Sequence, residues 1–229
     1  MNHHLVTVCT SCGSFIQQKI DNIDLFETAW HIIESPARAF RSIALAKHKN
    51  YAIVLSAIAG IGFAFTLFWF LNVGDVISEL LLLLFFGLVS GPIIGPILML
   101  VFSLIVRTLA VFSKVPLRFR NIFAVASYSL VPIIVTVFTL LPIELLTFGV
   151  FMFSKNPSPY TIKPFSYVVI IALDSVCGLW AVALFVVGMK VLLNANWRKS
   201  IFLAVTSVLI FIVVVMQTAI HVYSKLVFR

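Results

Sequence analysis

Charged residues are scarce in this sequence. Only 10% of its 229 residues are Asp, Glu, Lys or Arg, whereas soluble domains carry about 25%. Hydrophobic residues make up 62%, and the mean hydropathy is +1.13. So few charges cannot cover the surface of a soluble fold of this size. The composition therefore excludes an ordinary soluble domain and indicates that lipid is the solvent.

Cysteines and catalytic motifs are also few. Cys177 lies in an apolar segment, and neither it nor Cys9 or Cys12 falls in a predicted outer loop, so we expect no disulfide framework. Residues 1–10 lack the charged and apolar regions of a cleaved signal peptide. The sequence has no P-loop, nucleophile elbow, HExxH motif or paired-carboxylate pattern. We therefore predict that the protein is not an enzyme.

Five long apolar segments are present, and each is long enough to cross a membrane as a helix, which takes about 20 apolar residues. They cover residues 51–71, 81–112, 121–153, 165–193 and 200–223. The pattern predicts an all-α polytopic membrane helix bundle with five transmembrane helices. We divide the chain into a cytoplasmic tail at 1–21, interfacial amphipathic helices at 22–47 and a five-span domain at 48–229.

Residues 22–47 have the spacing of an amphipathic helix. Pro36 interrupts this segment, and we expect Ser35 to cap a second short helix that has Pro36 at its first position. Such helices belong in the membrane interface or against another protein. Apolar residues recur at steps of three and four, and they predict one apolar stripe: Ile23, Phe26, Trp30, Ile33, Ala37, Phe40 and Ala44.

Lysine and arginine are divided unevenly between the two sides of the predicted bundle. Twelve of the sixteen lie in the N-terminal region and in the second and fourth connections, and four lie on the other side. Because positive loops face the cytoplasm, we predict a cytoplasmic N-terminus and an outer C-terminus. The net charge of +8 then suits contact with anionic lipid headgroups. The sequence has no basic run interleaved with aromatic residues, so we expect no nucleic-acid partner.

Three stretches of the sequence carry motifs that recur in one family of membrane proteins. Residues 35–43, which include Pro36 and Phe40, resemble the motif that precedes the first span of that family. Residues 123–132, which include Tyr128 and Pro132, are similar to the "a-x-a-Y-S-x-x-P" pattern of its third span. Trp180 followed by Gly-Met-Lys at 188–190 resembles the end of its fourth span. Together the three stretches resemble the YIP family of Ypt- and Rab-interacting multi-span proteins.

The resemblance covers about residues 30–223 and implies the five-span fold. Eukaryotic members act in ER-to-Golgi traffic and contact Rab GTPases through long cytosolic N-terminal regions. The tail of this chain is short, so the chain resembles the prokaryotic branch more closely. That branch has no agreed activity and often carries zinc-ribbon-like N-termini. The resemblance therefore implies the bacterial cytoplasmic membrane as the location.

The tail contains a candidate metal site. Cys9 and Cys12 have the CxxCG spacing of half a zinc ribbon, in which a tight turn directs two thiolates at one metal. A structural zinc takes four ligands, and the sequence has no second CxxC. His3 and His4 are candidate third and fourth ligands, and a second protomer or a partner subunit is another source. A redox pair and free thiols in the reducing cytoplasm are the alternatives without metal.

Two carboxyl groups lie within predicted spans. Asp174 is deep in the fourth span, and Glu144 is in the later part of the third. Acidic residues there are costly and usually face protein or a wet cavity. Asp174 is either a proton or cation site or a packing residue bonded to Ser127, Tyr128 or Ser129. Two carboxylates on neighbouring spans would resemble an ion path, although the sequence does not show that they meet.

The second span carries glycines at one helical spacing. Gly87, Gly91 and Gly95 share a face, which allows another backbone to approach closely. The first span offers a matching face of small residues, namely Ser56, Gly60 and Ala64. Alternatively, Pro92 and Pro96 break this span, and the freed carbonyls line a substrate site as in transporters.

We predict a non-catalytic membrane scaffold or accessory subunit. The expected partners are other membrane subunits or a second copy of the chain, and anionic lipid. The expected cofactor is at most zinc. The alternative is a small permease or ion-coupled transporter that uses Asp174 and a broken second span.

Overall fold

The computed structural model of the chain describes residues 24–49, 51–113, 117–193 and 197–227. These residues are almost entirely helical, and no strand occurs among them. The α-helices are α1 Leu25–Glu34, α2 Pro36–Leu45, α3 Ala52–Leu71, α4 Leu80–Phe112, α5 Phe119–Ser129, α6 Val131–Phe148, α7 Pro159–Ile162, α8 Pro164–Leu193 and α9 Trp197–Val227. Short 3-10 turns follow α3 at Val73–Asp75 and α6 at Gly149–Phe153.

The five predicted spans are confirmed. Five stretches of the described chain are long and apolar enough to cross a membrane: Ala52–Leu71, Leu80–Phe112, Phe119–Phe153, Pro164–Leu193 and Trp197–Lys225. Each begins and ends within a few residues of the sequence-based range. The prediction succeeds because length and apolar content, rather than tertiary contacts, decide whether a segment can span hydrocarbon.

Prolines have opposite effects in the second and third spans. The predicted break of the second span is wrong, because α4 runs without interruption through Pro92 and Pro96. The third span does break: α5 ends at Ser129, and α6 begins at Val131 with Pro132 in its first turn. A proline has no N–H to donate to the preceding turn, so it fits the start of a helix better than its interior. The motif around Tyr128 therefore marks a junction between two helices.

The boundary between α1 and α2 also lies at a proline, as expected. Asp24 caps α1, since its carboxylate accepts a hydrogen bond from the Glu27 N–H at 3.0 Å. Ser35 lies at the N-cap position of α2, and Pro36 takes the first helical position. The Ser35 side chain makes no capping hydrogen bond, so that part of the prediction is wrong.

The buried residues form two cores, one toward each end of the bundle. The basal core lies beneath α1 and α2 and joins the start of α3, the end of α4, α5, the end of α8 and the start of α9. The distal core joins the end of α3, the start of α4, the end of α6 and the start of α8. We call the corresponding ends of the bundle the basal end and the distal end. Lipid is as apolar as these side chains, so packing rather than escape from water holds the spans together.

The distal end is tied by its own polar contacts. The Asp75 carboxylate accepts hydrogen bonds from the Lys155 backbone N–H at 3.0 and 3.2 Å, which joins the loops after α3 and α6. The Trp69 indole N–H donates to the Tyr167 hydroxyl at 3.2 Å and joins α3 to α8. Gly74 lies where these two loops touch, because a Cβ at Gly74 would lie 2.8 Å from the Phe153 carbonyl oxygen.

Candidate functional site

Two of the motif residues lie in the basal core. Phe40 of α2 and Tyr128 of α5 are both fully buried there. Gly188 of α8 makes room for α2 and α5, because a Cβ at Gly188 would lie 3.4 Å from the Phe40 ring and closer still to Val125 of α5. The motifs before the first span and in the third and fourth spans thus describe one packing site, where α2, α5 and α8 meet.

Two hydroxyl groups at the α5–α6 junction have no hydrogen-bond partner among the described residues. They belong to Ser127 and Tyr128, both fully buried. The neighbouring Ser129 hydroxyl instead donates to the Val125 carbonyl at 2.7 Å. The predicted bond from Asp174 to one of these three residues is therefore wrong. Asp174 lies near the middle of α8, whereas the α5 motif packs against the Gly188 end of that helix.

Lys49 is a buried cation that the sequence pattern does not separate from the other flanking lysines. Its ammonium donates hydrogen bonds to the carbonyls of Ile43 and, at 3.3 Å, Ala44, so it closes the C-terminal end of α2. Burial, together with the nearby Arg120 cation, lowers the pKa of Lys49 from 10.5 to about 8. The Nε of Arg41, on α2, is also buried without a partner in the described chain.

The predicted apolar stripe does not stay on one side of the N-terminal helices. In α2, Phe40 points into the core, but in α1 the side chains of Phe26, Trp30 and Ile33 are 85%, 66% and 46% exposed. The buried side of α1 instead carries Thr28 and Ile32. The stripe assumed one helical register through residue 35, and Ser35 has non-helical torsions (φ −145°, ψ 69°) that break this register.

Helix α1 consequently has three distinct sides. One carries Leu25, Thr28, Ala29 and Ile32 and packs on the basal core. A second side carries the exposed Phe26, Trp30 and Ile33, which we call the apolar face. The third carries Glu27, His31 and Glu34, which we call the charged face; the His31 ring lies 3.6 Å from Glu27 and 3.8 Å from Glu34. At about 100° per residue, the centres of the three sides are roughly 100–140° apart.

The two small-residue faces of α3 and α4 lie in contact. A Cβ at Gly91 would lie 2.6 Å from the Ile61 Cα, and one at Gly95 would lie 2.7 Å from the Gly60 Cα. Ser56 and Ala64 are buried on the same side of α3. Gly87 faces the Phe65 ring, 2.7 Å from the position of a Cβ. The backbones of α3 and α4 approach so closely that nothing larger than hydrogen fits at Gly60, Gly91 and Gly95.

The structure also brings the two intramembrane carboxyl groups together. Glu144 of α6 is buried, and its side chain hydrogen-bonds to that of Asp174 on α8. A hydrogen bond between two carboxyl groups uses one shared proton, since two carboxylates have no donor between them. The pair lies beside the distal core, near Leu141, Leu145 and Ile171. Each carboxyl group thus has a partner inside the protein.

The candidate metal ligands of the tail, His3, His4, Cys9 and Cys12, lie outside the described residues. Within the described part of the chain, no three His, Cys, Asp or Glu side chains are grouped closely enough to hold a metal ion. The acid–base contacts between side chains there are those of His31 with Glu27 and Glu34 in α1. The basal end therefore presents exposed cations without carboxylate partners: Arg38, Lys47, Arg107, Arg118, Arg120, Arg198 and Lys199.

Comparison with known proteins places the chain in a family. The family model of the Yip1 domain matches residues 30–218, from α1 to within α9. No curated protein and no solved structure matches the chain. The matched region contains the α2–α5–α8 packing site and all five spanning segments in whole or in large part. The chain is therefore an integral membrane protein that belongs to the YIP family.

Proposed function

We propose that this protein is a non-catalytic scaffold or accessory subunit of a membrane complex, and that α1 and α2 form its contact platform. The observation that supports this role is how firmly the platform is held. Ile32, Phe40 and Ile43 are fully buried in the basal core, while the charged face of α1 stays in solvent. A surface that is anchored in the core on one side and exposed on the other suits binding to another protein more than catalysis.

The platform lies among the unpaired cations of the basal end. We propose that this end faces the cytoplasm of a bacterium, with the protein in the cytoplasmic membrane, because positive residues collect on that side. Those cations also suit anionic lipid headgroups. A reporter fused after residue 229 should then be active only if it requires the outer compartment, and activity of a cytoplasmic reporter at this position would contradict the orientation.

Charge reversal tests the scaffold role without disturbing the core. Glu27→Lys combined with Glu34→Lys changes only exposed side chains of α1. We expect mass spectrometry of native nanodiscs to show a partner with the wild-type protein and to show it lost or strongly reduced with this variant. Glu79→Lys, an exposed charge reversal at the distal end, is the matched control and should keep the partner. A protein that purifies alone under these conditions would contradict the proposal.

The continuity of α4 favours the scaffold over a permease with a broken second span. We further propose that the tail binds zinc through Cys9 and Cys12, with His3 and His4 or a second chain completing the ligand set. Metal analysis of protein purified without chelator should give a stoichiometric fraction of zinc that falls in a Cys9→Ser/Cys12→Ser variant. Metal content near zero would rule out this site.

A further inference from the structure

The apolar face of α1 has no partner within the described protein. Phe26, Trp30 and Ile33 lie beside one another at positions i, i+4 and i+7 and together present three large side chains to the outside. Exposure of such a face to water is energetically unfavourable. Single exposed apolar residues are common on protein surfaces, but a contiguous set usually marks an interaction surface. The position of α1 in the fold indicates what covers it.

Helix α1 packs at the end of the bundle where α3 and α9 begin and where α4 and α8 end. Its buried side packs on the basal core, which contains residues near the start of α3 and α9 and the last buried residues of α4 and α8. A helix at this level, beside the bundle, meets three surroundings: the protein, the water above and the acyl chains below. The three sides of α1 match these surroundings, with the charged face and the apolar face on opposite flanks of the protein contact.

We propose that α1 lies in the plane of the membrane interface with its apolar face inserted among the lipid acyl chains. Tryptophan at position 30 suits this depth, because its amphipathic ring prefers the headgroup region. Insertion of such a face depends on buried apolar area. This inference deepens the scaffold role, since it explains how the platform is oriented with its charged face toward a partner.

The same helix also indicates which lipid favours insertion. Residues 25–34 contain no Lys or Arg, and Asp24, Glu27 and Glu34 give this segment a negative charge. Anionic headgroups therefore repel α1, although they attract the cations elsewhere at the basal end. Insertion of α1 accordingly depends on gaps between loosely packed acyl chains and is favoured by neutral lipid rather than by surface charge.

Fluorescence of Trp30 tests this placement in the full-length protein. The protein is reconstituted into vesicles of monounsaturated phosphatidylcholine, with and without bromine on the acyl chains. The chain has four tryptophans, so the signal of Trp30 is the difference between wild type and Trp30→Phe. We expect bromine to quench this signal at least twofold and aqueous iodide to quench it little.

The matched control is Trp197, which begins α9 at the same end and lies 3.9 Å beneath the Lys190 ammonium. The difference between wild type and Trp197→Phe reports the depth of an interfacial tryptophan on the bundle itself. Quenching of Trp30 by bromine at least equal to that of Trp197 supports insertion. Strong quenching by iodide without quenching by bromine would overturn it and would identify the face as a protein-binding surface instead.

Changes in lipid composition separate the effect of acyl-chain packing on insertion from the effect of headgroup charge. Addition of phosphatidylglycerol should leave the bromine quenching of Trp30 unchanged or lower it, and cholesterol-rich vesicles should lower it. A rise with phosphatidylglycerol would overturn the claim of charge independence. Circular dichroism of each variant confirms that the helices are retained. Absence of bromine quenching in wild-type protein that still carries its nanodisc partner would reject this inference alone. Bromine quenching in wild-type protein that purifies without a partner would reject the scaffold role alone.

Discussion

The two ends of the bundle differ in how their polar groups are satisfied. At the distal end, Asp75 accepts two hydrogen bonds from the Lys155 N–H, and the Trp69 and Tyr167 side chains bond to each other. At the basal end, the Arg41 Nε and the Tyr128 hydroxyl have no partner among the described residues, and the apolar face of α1 is open. The polar groups of the distal end are paired within the chain. The basal end instead has buried polar groups without a partner among the described residues and an exposed apolar face on α1.

This difference separates structural from functional residues. Buried polar groups are nearly always paired, because an unpaired one costs about 1–3 kcal/mol. Paired groups at the distal end therefore contribute to stability, whereas the exposed sides of α1 at the basal end are where we propose that lipid and a partner bind. Substitutions at the distal end should lower stability and leave binding intact, and those on the exposed sides of α1 should do the reverse.

The largest effect is expected at the contact between α3 and α4, which links the two ends. Gly91→Ile places a side chain where the Ile61 Cα already lies within 2.6 Å of the Cβ position, so the helices must separate. We expect a loss of several kcal/mol of stability, in the range of overpacked cores, and loss of both ends together. Thermal unfolding in detergent, followed by tryptophan fluorescence, measures this.

Gly178→Ile is the matched control for that substitution. Gly178 is also within a span, but a Cβ there has no atom within 4 Å. We expect its melting temperature to stay within a few degrees of that of wild type. Equal melting temperatures for Gly91→Ile and Gly178→Ile would contradict the close α3–α4 contact.

The next largest effect concerns pH and Lys49 at the basal end. Because the folded protein lowers the pKa of Lys49 from 10.5 to about 8, the unfolded chain binds more protons between these two pH values. Stability therefore rises as the pH increases from about 8 to 10.5, and Lys49 adds no slope below that range. At about 1.4 kcal/mol per pKa unit, the rise attributable to Lys49 is at most about 3–4 kcal/mol.

Lys49→Met should remove this rise while keeping an alkyl chain of similar length. The measurement is the difference in unfolding free energy between wild type and variant across pH 7 to 10.5, so that other lysines cancel. Lys47→Met, at an exposed position nearby, is the control and should keep the wild-type slope. A constant difference for Lys49→Met over this range would show that its ammonium is not desolvated.

A smaller effect is expected at Asp75, and it should remain at the distal end. Asp75→Ala removes the acceptor of the two Lys155 N–H contacts. Hydrogen bonds to charged groups contribute about 1.5–3 kcal/mol when shielded, and this exposed pair should lie at or below the lower limit. Glu79→Ala removes a carboxylate that has no such bond and should change stability by less than about 0.5 kcal/mol. If Asp75→Ala lost the nanodisc partner with the fold intact, this result would contradict the proposed division between a structural distal end and a binding basal end.

The number and limits of the spans could be predicted from sequence because they depend on local apolar length. The glycine spacing of α4 likewise follows from helical periodicity, which is a local property. The effect of each proline on its helix could not be predicted from sequence, since α4 stays continuous through Pro92 and Pro96 while the third span breaks before Pro132. Proline only removes one donor, and the packing around it decides whether the helix continues.

The candidate site was less accessible to sequence reasoning. The orientation of Phe26 and Trp30 depends on the torsion angles of Ser35, which no periodic pattern records. Burial of Lys49 depends on the position of α2 against α5, and so its separate role among many basic residues was missed. The motif residues Phe40 and Tyr128 were found by resemblance, and their shared place in the basal core is visible only in three dimensions.

The smallest predicted effect concerns Glu144 and Asp174, whose register on neighbouring spans the sequence also leaves open. Their hydrogen bond extends the pattern of paired polar groups from the distal end into the spans. Hydrogen bonds between membrane helices average about 0.6 kcal/mol and reach about 1.7 kcal/mol. A double-mutant cycle with Glu144→Met and Asp174→Leu should give a coupling energy in this range, measured by unfolding in detergent. Each single variant leaves one carboxyl group unpaired. The double variant should therefore destabilise the protein less than the sum of the two single variants. Additive effects would mean that the two side chains do not interact.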